Sequence, residues 1–150
     1  MLTPVDPQAI RFEPVPDAAA VEFLYERVTE FNLAATGLPP ADRLLALERD
    51  DVGEIVAGIN GWVWGGTAEV DLLWVEESRR RHGRGAALLA AFEREAARRG
   101  ATQVVLDTAD FQAPAFYARA GYTEAGRVDD YPRGQALRRF RKAIGPDAPD

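Results

Sequence analysis

The sequence predicts one mixed α/β domain over about residues 9–144, with fraying termini and the element order β-α-α-β-β-β-α-β-α-β-β. Three observations carry that expectation. Apolar residues recur at helical spacing in some stretches and alternate in others, so both element types are present. Glycine and proline clusters cut the chain at short intervals, without a repeat or a linker long enough to divide it. A chain of 150 residues with 47% hydrophobic side chains is also long enough to bury about 70% of its unfolded surface, so its core needs no disulfide or metal.

In chain order, Ile10 and Phe12 alternate ahead of Pro14 and Pro16 and read as a first strand. Asp17 caps a helix on which Val21, Leu24, Val28 and Phe31 share one face, and Gly37 with Pro39-Pro40 closes it. A short helical stretch is expected near Asp42–Leu45. Leu45–Arg49 and Glu54–Ile59 then read as two strands around the turn Asp50-Asp51-Val52-Gly53, and Gly61, Gly65 and Gly66 punctuate a second hairpin. Thr67–Val75 alternates at first and ends as Leu72-Leu73-Trp74-Val75, which predicts a central strand covered on both faces at that end. Leu88, Leu89, Phe92 and Ala96 mark the buried side of the next helix, with Glu95 and Arg99 paired outside and Gly100 as its stop. Thr102–Thr108 is a further strand. Pro114 opens a short helix that Gly121 stops, and two last strands flank the turn Asp129–Gly134.

Composition removes whole classes of chemistry. With no cysteine there is no thiol nucleophile, thiolate metal site or disulfide framework. Ser78 is the only serine and His82 the only histidine, which disfavours a Ser/His/Asp triad and a histidine zinc site alike; composition leaves open only a carboxylate magnesium site, and no metal is expected. No stretch approaches the roughly 20 apolar residues of a membrane span and the start lacks a signal-peptide pattern, so a cytoplasmic protein without membrane contact is expected. The formal charge of −6 is divided unevenly, −11 over residues 1–78 and +5 over residues 79–150. Such asymmetry fits solvated arginine faces, and equally a chain with one end for an anion and the other for a cation.

The segment Arg80-Arg81-His82-Gly83-Arg84-Gly85, running on into Ala86, stands between the central strand and the following helix. Two glycines there let the main chain approach a ligand, and the unpaired amides of a helix start favour a phosphate or pyrophosphate. A Walker loop is absent, and a GxGxxG fingerprint beginning at Gly83 fails at Leu88. The run matches Arg/Gln-x-x-Gly-x-Gly/Ala, and Tyr117-Ala118-Arg119-Ala120-Gly121-Tyr122 matches Tyr-x-x-x-Gly-Phe/Tyr, 32 residues after Gly85. In both, the chain resembles the GNAT superfamily of N-acetyltransferases. Leu106-Asp107-Thr108, Phe111-Gln112-Ala113, Phe116-Tyr117 and Asp129-Asp130-Tyr131-Pro132 followed by Gly134 resemble a bacterial subgroup of it. It departs from the pattern at Asp110, where Asn is usual, at Gln135, where the subgroup has His, and at Arg138 and Arg139, where the subgroup has aromatics.

The resemblance implies a GNAT-like fold, with a mixed, mostly antiparallel sheet of about seven strands flanked by helices. It implies acetyl-CoA as acyl donor, lying where the central strand and the Thr102–Thr108 strand splay apart. Main-chain groups of Leu73, Trp74 and Val75 would pair with pantetheine, and amides from Arg81 to Ala86 would hold the pyrophosphate. Arg80, Arg84 and His82 would add charge, Phe116 would line the site, and Gln112 would stand in for the missing Asn. The Val75 amide would stabilise the oxyanion, and Tyr117 would protonate the leaving thiolate. An alkylamine is mostly protonated at neutral pH, so a carboxylate must take its proton. Glu69, Asp71 and Asp107 are the candidates, with Glu69 and Asp71 on one face of their strand by alternation.

By the same resemblance Phe31, Asn32, Asp129, Asp130 and Tyr131 fall where the acceptor, a primary amine on a small molecule or peptide, would approach. Trp62, Trp64 and Trp74 fit that pocket, core packing or a homodimer contact. Two other readings stay open: a non-catalytic acyl-CoA sensor, and nucleic-acid binding through Arg79–Arg84, Arg98–Arg99 and Arg138–Arg141. The overall acidity and the single lysine oppose the last, and no nucleic-acid partner is expected.

Overall fold

Alternation of apolar and polar residues from Asp42 onward builds a sheet with the strand order β1-β2-β3-β4-β6-β5. The strands are β1 (Asp42–Arg49), β2 (Ile55–Trp64), β3 (Thr67–Val75), β4 (Gln103–Ala109), β5 (Thr123–Asp129) and β6 (Ala136–Ala143). Only β3 and β4 are parallel; every other neighbouring pair is antiparallel. The computed structural model describes residues 6, 7 and 10–145, and the ends expected to fray, the first few residues and the Gly145–Asp150 tail, lie mostly outside them. The chain divides into two compact units, residues 1–40 and residues 41–150.

The first unit carries helix α1, Ala18–Thr36. The Asp17 carboxylate accepts from the amides of Ala19 and Ala20 at 3.3 and 3.2 Å. Gly37, at φ 70°, ends the helix with its N–H on the Leu33 carbonyl. The strand expected at Ile10 and Phe12 does not form, so among the described residues the sheet has six strands where about seven were expected. Two apolar side chains are too short a pattern to specify a ladder, and Pro14 and Pro16 withdraw amides just beyond them; Phe12 is 99% exposed.

In the second unit, the short helix expected near Asp42–Leu45 is instead the start of β1. Leu44 turns into the core while Arg43 and Leu45 pair across to Trp62 and Asn60 of β2, so pairing overrides a weak local preference. Helix α2, Arg84–Arg98, buries Leu89, Phe92 and Ala96 and packs on β1, β2 and β3. Glu95 pairs with Arg99 at 2.7 Å on its outer side. Together with α3, Pro114–Arg119, it covers a single apolar cluster that includes Ile59, Val63, Val70, Leu106, Tyr117 and Phe140. Among the described residues no helix is long and apolar enough to cross a membrane.

Candidate active site

The parallel ladder between β3 and β4 runs from Thr67 opposite Gln103 to Val70 opposite Leu106 and stops there. At that level β3 bulges: Gly61 of β2 pairs with Val70 and Asn60 with Leu72, so Asp71 is an extra residue. The bulge shifts the alternation by one. Ala68 and Val70 belong to the core, and beyond the bulge Leu73 packs against it instead. Gly61 makes this possible, because a Cβ there would lie 2.0 Å from the Glu69 carbonyl oxygen and 2.9 Å from the Phe92 ring. Past the fork β3 has a strand on one side only. Leu72 and Trp74 are 63% and 48% exposed, which corrects the expectation that the Leu72–Val75 end is covered on both faces. The Glu76 amide donates to the Val56 carbonyl at 2.9 Å, on the β2 side. Successive amides alternate along a strand, so that of Val75 points the other way, into the fork.

After β3 a single 3-10 turn, Glu77–Arg79, leads into the loop and α2. Arg81 (φ 65°) and Gly83 (φ 76°) both adopt the left-handed conformation. No side chain caps α2, so the amides of its first turn, at Arg84, Gly85 and Ala86, have no intrahelical partner. A Cβ on Gly83 would meet nothing within 4 Å, and one on Gly85 would lie 3.5 Å from the Phe116 ring and 4.0 Å from Val75 Cγ2. The open loop therefore stands between the end of β3 and α3. Its arginines are largely engaged elsewhere. Arg80 Nε donates to the Val75 carbonyl at 2.9 Å, Arg79 pairs with Glu76 at 2.9 Å, and Arg84 pairs with Glu48 of β1. His82 lines a groove with Glu48, Gly83, Arg84 and Ala87.

On the sheet face turned away from α2, Glu69 and Asp107 meet at a residue that was not expected, Arg139, and Asp71 shares that face. Leu106 and Phe140 are a buried cross-strand pair on the core face, so the next pair, Asp107 and Arg139, lies on the opposite face. Arg139 Nη1 is 3.2 Å from Asp107 Oδ2, and its Nη2 is 3.3 Å from Glu69 Oε1. Asp71, at the bulge, accepts from Asn60 Nδ2 at 3.1 Å and keeps to the face of Glu69. Asp107 on β4 and Asp71 on β3 are the first residues beyond the last pairing, and Glu69 pairs with Val105 just inside the ladder, so the three carboxylates flank the point where the strands part.

Tyr117 is 8% exposed, within an aromatic cluster with Phe116, Tyr122 and Phe140 at 5.0 to 6.4 Å between ring centroids. Among the described residues its hydroxyl has no hydrogen-bond partner, yet it is not a sealed polar atom. Burial raises its pKa, which keeps the phenol protonated at neutral pH. Gln112 is exposed and folds back on its own turn, its Oε1 accepting from the Ala109 amide at 2.8 Å. Asp110 accepts from Arg138 Nε at 2.5 Å, and that bond above all lowers its pKa. Arg138 also reaches Glu124 at 3.0 Å.

Asp129, Asp130 and Tyr131 lie at the β5–β6 turn. Asp129 accepts from Arg127 at 2.6 Å and Asp130 from the Gly134 amide at 2.6 Å, while Tyr131 is exposed. Phe31 and Asn32 lie on α1, in the other unit. Arg98 and Arg99 pair with Glu95, and Arg99 with Asp42, so much of the basic run is locally neutralised. Among the described residues no group of three acidic or histidine side chains is placed to hold a metal. Sequence reasoning missed Arg139, Glu48 and Asn60 as partners. The only signal for Arg139 was its departure from an aromatic pattern; its neighbours become evident from the strand order.

A sequence model described as the Acetyltransferase (GNAT) family matches residues 9–122. An acetyltransferase of Agrobacterium fabrum is 32% identical over 123 residues, 82% of this chain and 90% of that protein. The blasticidin-S acetyltransferase of Streptomyces morookaense is 42% identical over 86 residues, covering 55% of this chain and 61% of the relative. The crystal structure of an acetyltransferase from Agrobacterium tumefaciens superposes with a TM-score of 0.84 at 30% identity, covering 90% of this chain and 98% of that one.

Proposed function

Because the chain belongs to the GNAT family of acetyltransferases, we propose that it moves the acetyl group of acetyl-CoA directly to a primary amine of a small molecule or peptide. One observation carries this reading: the β3–β4 fork has an uncapped helix start at one end and three carboxylates at its mouth. The residues fit such a donor. The amides of Arg84, Gly85 and Ala86 offer a diphosphate unpaired donors in open space. Main-chain groups of Leu73 and the Val75 amide face the fork, where no strand pairs with them from the β4 side, whereas those of Trp74 alternate towards Gly58 of β2 and Arg80 already sits on the Val75 carbonyl.

Transfer forms a C–N bond and breaks the thioester C–S bond. The Val75 N–H donates to the carbonyl oxygen as it gains negative charge. Glu69 or Asp107 takes the proton that the ammonium must lose before its lone pair can attack; Asp71 is the third carboxylate of the same face. The electron pair of the C–S bond leaves on sulfur, and Tyr117, which burial keeps protonated, supplies that sulfur's proton and recovers one from solvent. The balance is one ammonium and one thioester in, one amide, one thiol and one proton out. The acidic face supports a cationic acceptor, and the blasticidin-S relative supports a small-molecule one.

The test is thiol release from acetyl-CoA with a panel of amines, using Glu69→Gln, Asp71→Asn and Asp107→Asn variants. The variant that loses about 100-fold or more in kcat identifies the base. Coenzyme binding without thiol release for any amine contradicts the proposal.

A further inference from the structure

Arg139 occupies the space between the two carboxylates at the fork. We propose that it is a positioning residue, one that cancels half the charge of the Glu69–Asp107 pair so that an incoming ammonium is drawn to the fork but not clamped there in its protonated form. This rests on the N-acetyltransferase reading above.

The geometry makes Arg139 the shared partner of two strands. It is the direct cross-strand neighbour of Asp107, and the two arms of one guanidinium divide between Asp107 at 3.2 Å and Glu69 at 3.3 Å. The fork is thereby spanned on this face by a cation from a third strand. Among the described residues of the second unit, no other charge takes its place. Arg138 is committed to Asp110 and Glu124, Asp71 to Asn60, and the β5 residue opposite Arg139 is Gly126. Arg141, two residues further along β6, is exposed and pairs across to Thr123 and Val105 rather than to an acid.

The consequence concerns which form of the acceptor the site holds best. Glu69 and Asp107 with Arg139 carry a net charge of −1, and without it −2. A pair of uncompensated carboxylates would bind an alkylammonium more tightly and resist its deprotonation. Both effects stabilise the ground state and not the transition state. Removing Arg139 therefore separates binding from turnover, in a direction that simple loss of structure does not produce.

Steady-state kinetics of the wild-type protein, Arg139→Gln, Arg139→Met and Arg139→Lys test this with two acceptors of one carbon skeleton. One is an alkylamine, charged at neutral pH, and the other an O-alkylhydroxylamine, uncharged there. For the alkylamine, the Gln and Met variants should lower kcat about tenfold and KM about threefold, and Lys should restore both towards wild type. For the O-alkylhydroxylamine, all three variants should stay within about twofold of wild type. Comparing two acceptors on one preparation cancels any loss of folded protein. Equal losses with both acceptors, a raised KM for the alkylamine, or unchanged kinetics would overturn the role of Arg139 and leave the N-acetyltransferase reading standing. A wild-type protein that binds coenzyme A and releases no thiol with any amine of the panel would overturn both.

Discussion

The two ends of the β3–β4 fork are built from different materials. At the proposed donor end it is main chain that lies free: unpaired amides at the start of α2, left-handed turns at Arg81 and Gly83, and a strand edge past the last β4 pairing. The nearby arginines are turned to other tasks, Arg80 on the Val75 carbonyl and Arg84 on Glu48. At the proposed acceptor mouth it is side chains that converge. Glu69, Asp71, Asp107 and Arg139 come from three strands, and only the sheet order brings them together. A backbone site tolerates variation in its side chains and demands particular backbone angles, whereas a side-chain site does the reverse.

That contrast ranks the effects of substitution. Gly83→Asp should be the most damaging at the donor end, since it puts a side chain at φ 76° and an anion where a diphosphate would sit. Coenzyme affinity should fall about 1,000-fold, equivalent to about 4 kcal/mol, in equilibrium titration of a protein whose circular dichroism is unchanged. Tyr117→Phe should lower kcat about 100-fold with little change in coenzyme affinity, because the ring packs in the core and only the hydroxyl is lost. Arg84→Ala should change coenzyme affinity by less than about threefold, because a half-exposed ion pair with Glu48 already occupies the guanidinium. A large loss there would return the donor end to side-chain control.

The buried phenols add a pH signature that belongs to the fold and not to either end. Burial raises the pKa of Tyr117, and burial first and then the Glu93 carboxylate raise that of Tyr122. Above about pH 10 an unfolded tyrosine loses its proton while these two keep theirs. The folded state then binds more protons, and stability falls as pH rises. Their contribution is complete below about pH 10 and is lost beyond it, so urea midpoints should stay level with respect to these groups up to that point and then decline. Tyr122→Phe should blunt the decline.

The same contrast explains what could be read in the amino-acid sequence. The left-handed loop ahead of α2 is legible in the sequence because glycine spacing reports backbone geometry directly, and β3 at Thr67–Val75 is legible from its own alternation. The bulge at Asp71 was not legible. It depends on Gly61 in another strand, whose missing Cβ admits both the Glu69 carbonyl and the Phe92 ring. The exposure of Leu72 and Trp74 follows from where the β4 ladder stops, which no property of those residues announces. Arg138 and Arg139 stood out in the sequence as departures from an aromatic pattern. In the fold each is matched by acids, Asp110 and Glu124 for one, Asp107 and Glu69 for the other. Asp110, itself a departure, is thus half of an ion pair formed by two unusual residues.

Calorimetric titration of the wild-type protein with coenzyme A and, separately, with pantetheine tests most directly whether main-chain amides at the start of α2 hold the donor by its diphosphate. Coenzyme A should give saturable heat at one equivalent, and pantetheine, which lacks the diphosphate, none at the same concentrations. No heat from coenzyme A on folded protein, or equal affinity for the two compounds, would contradict that claim.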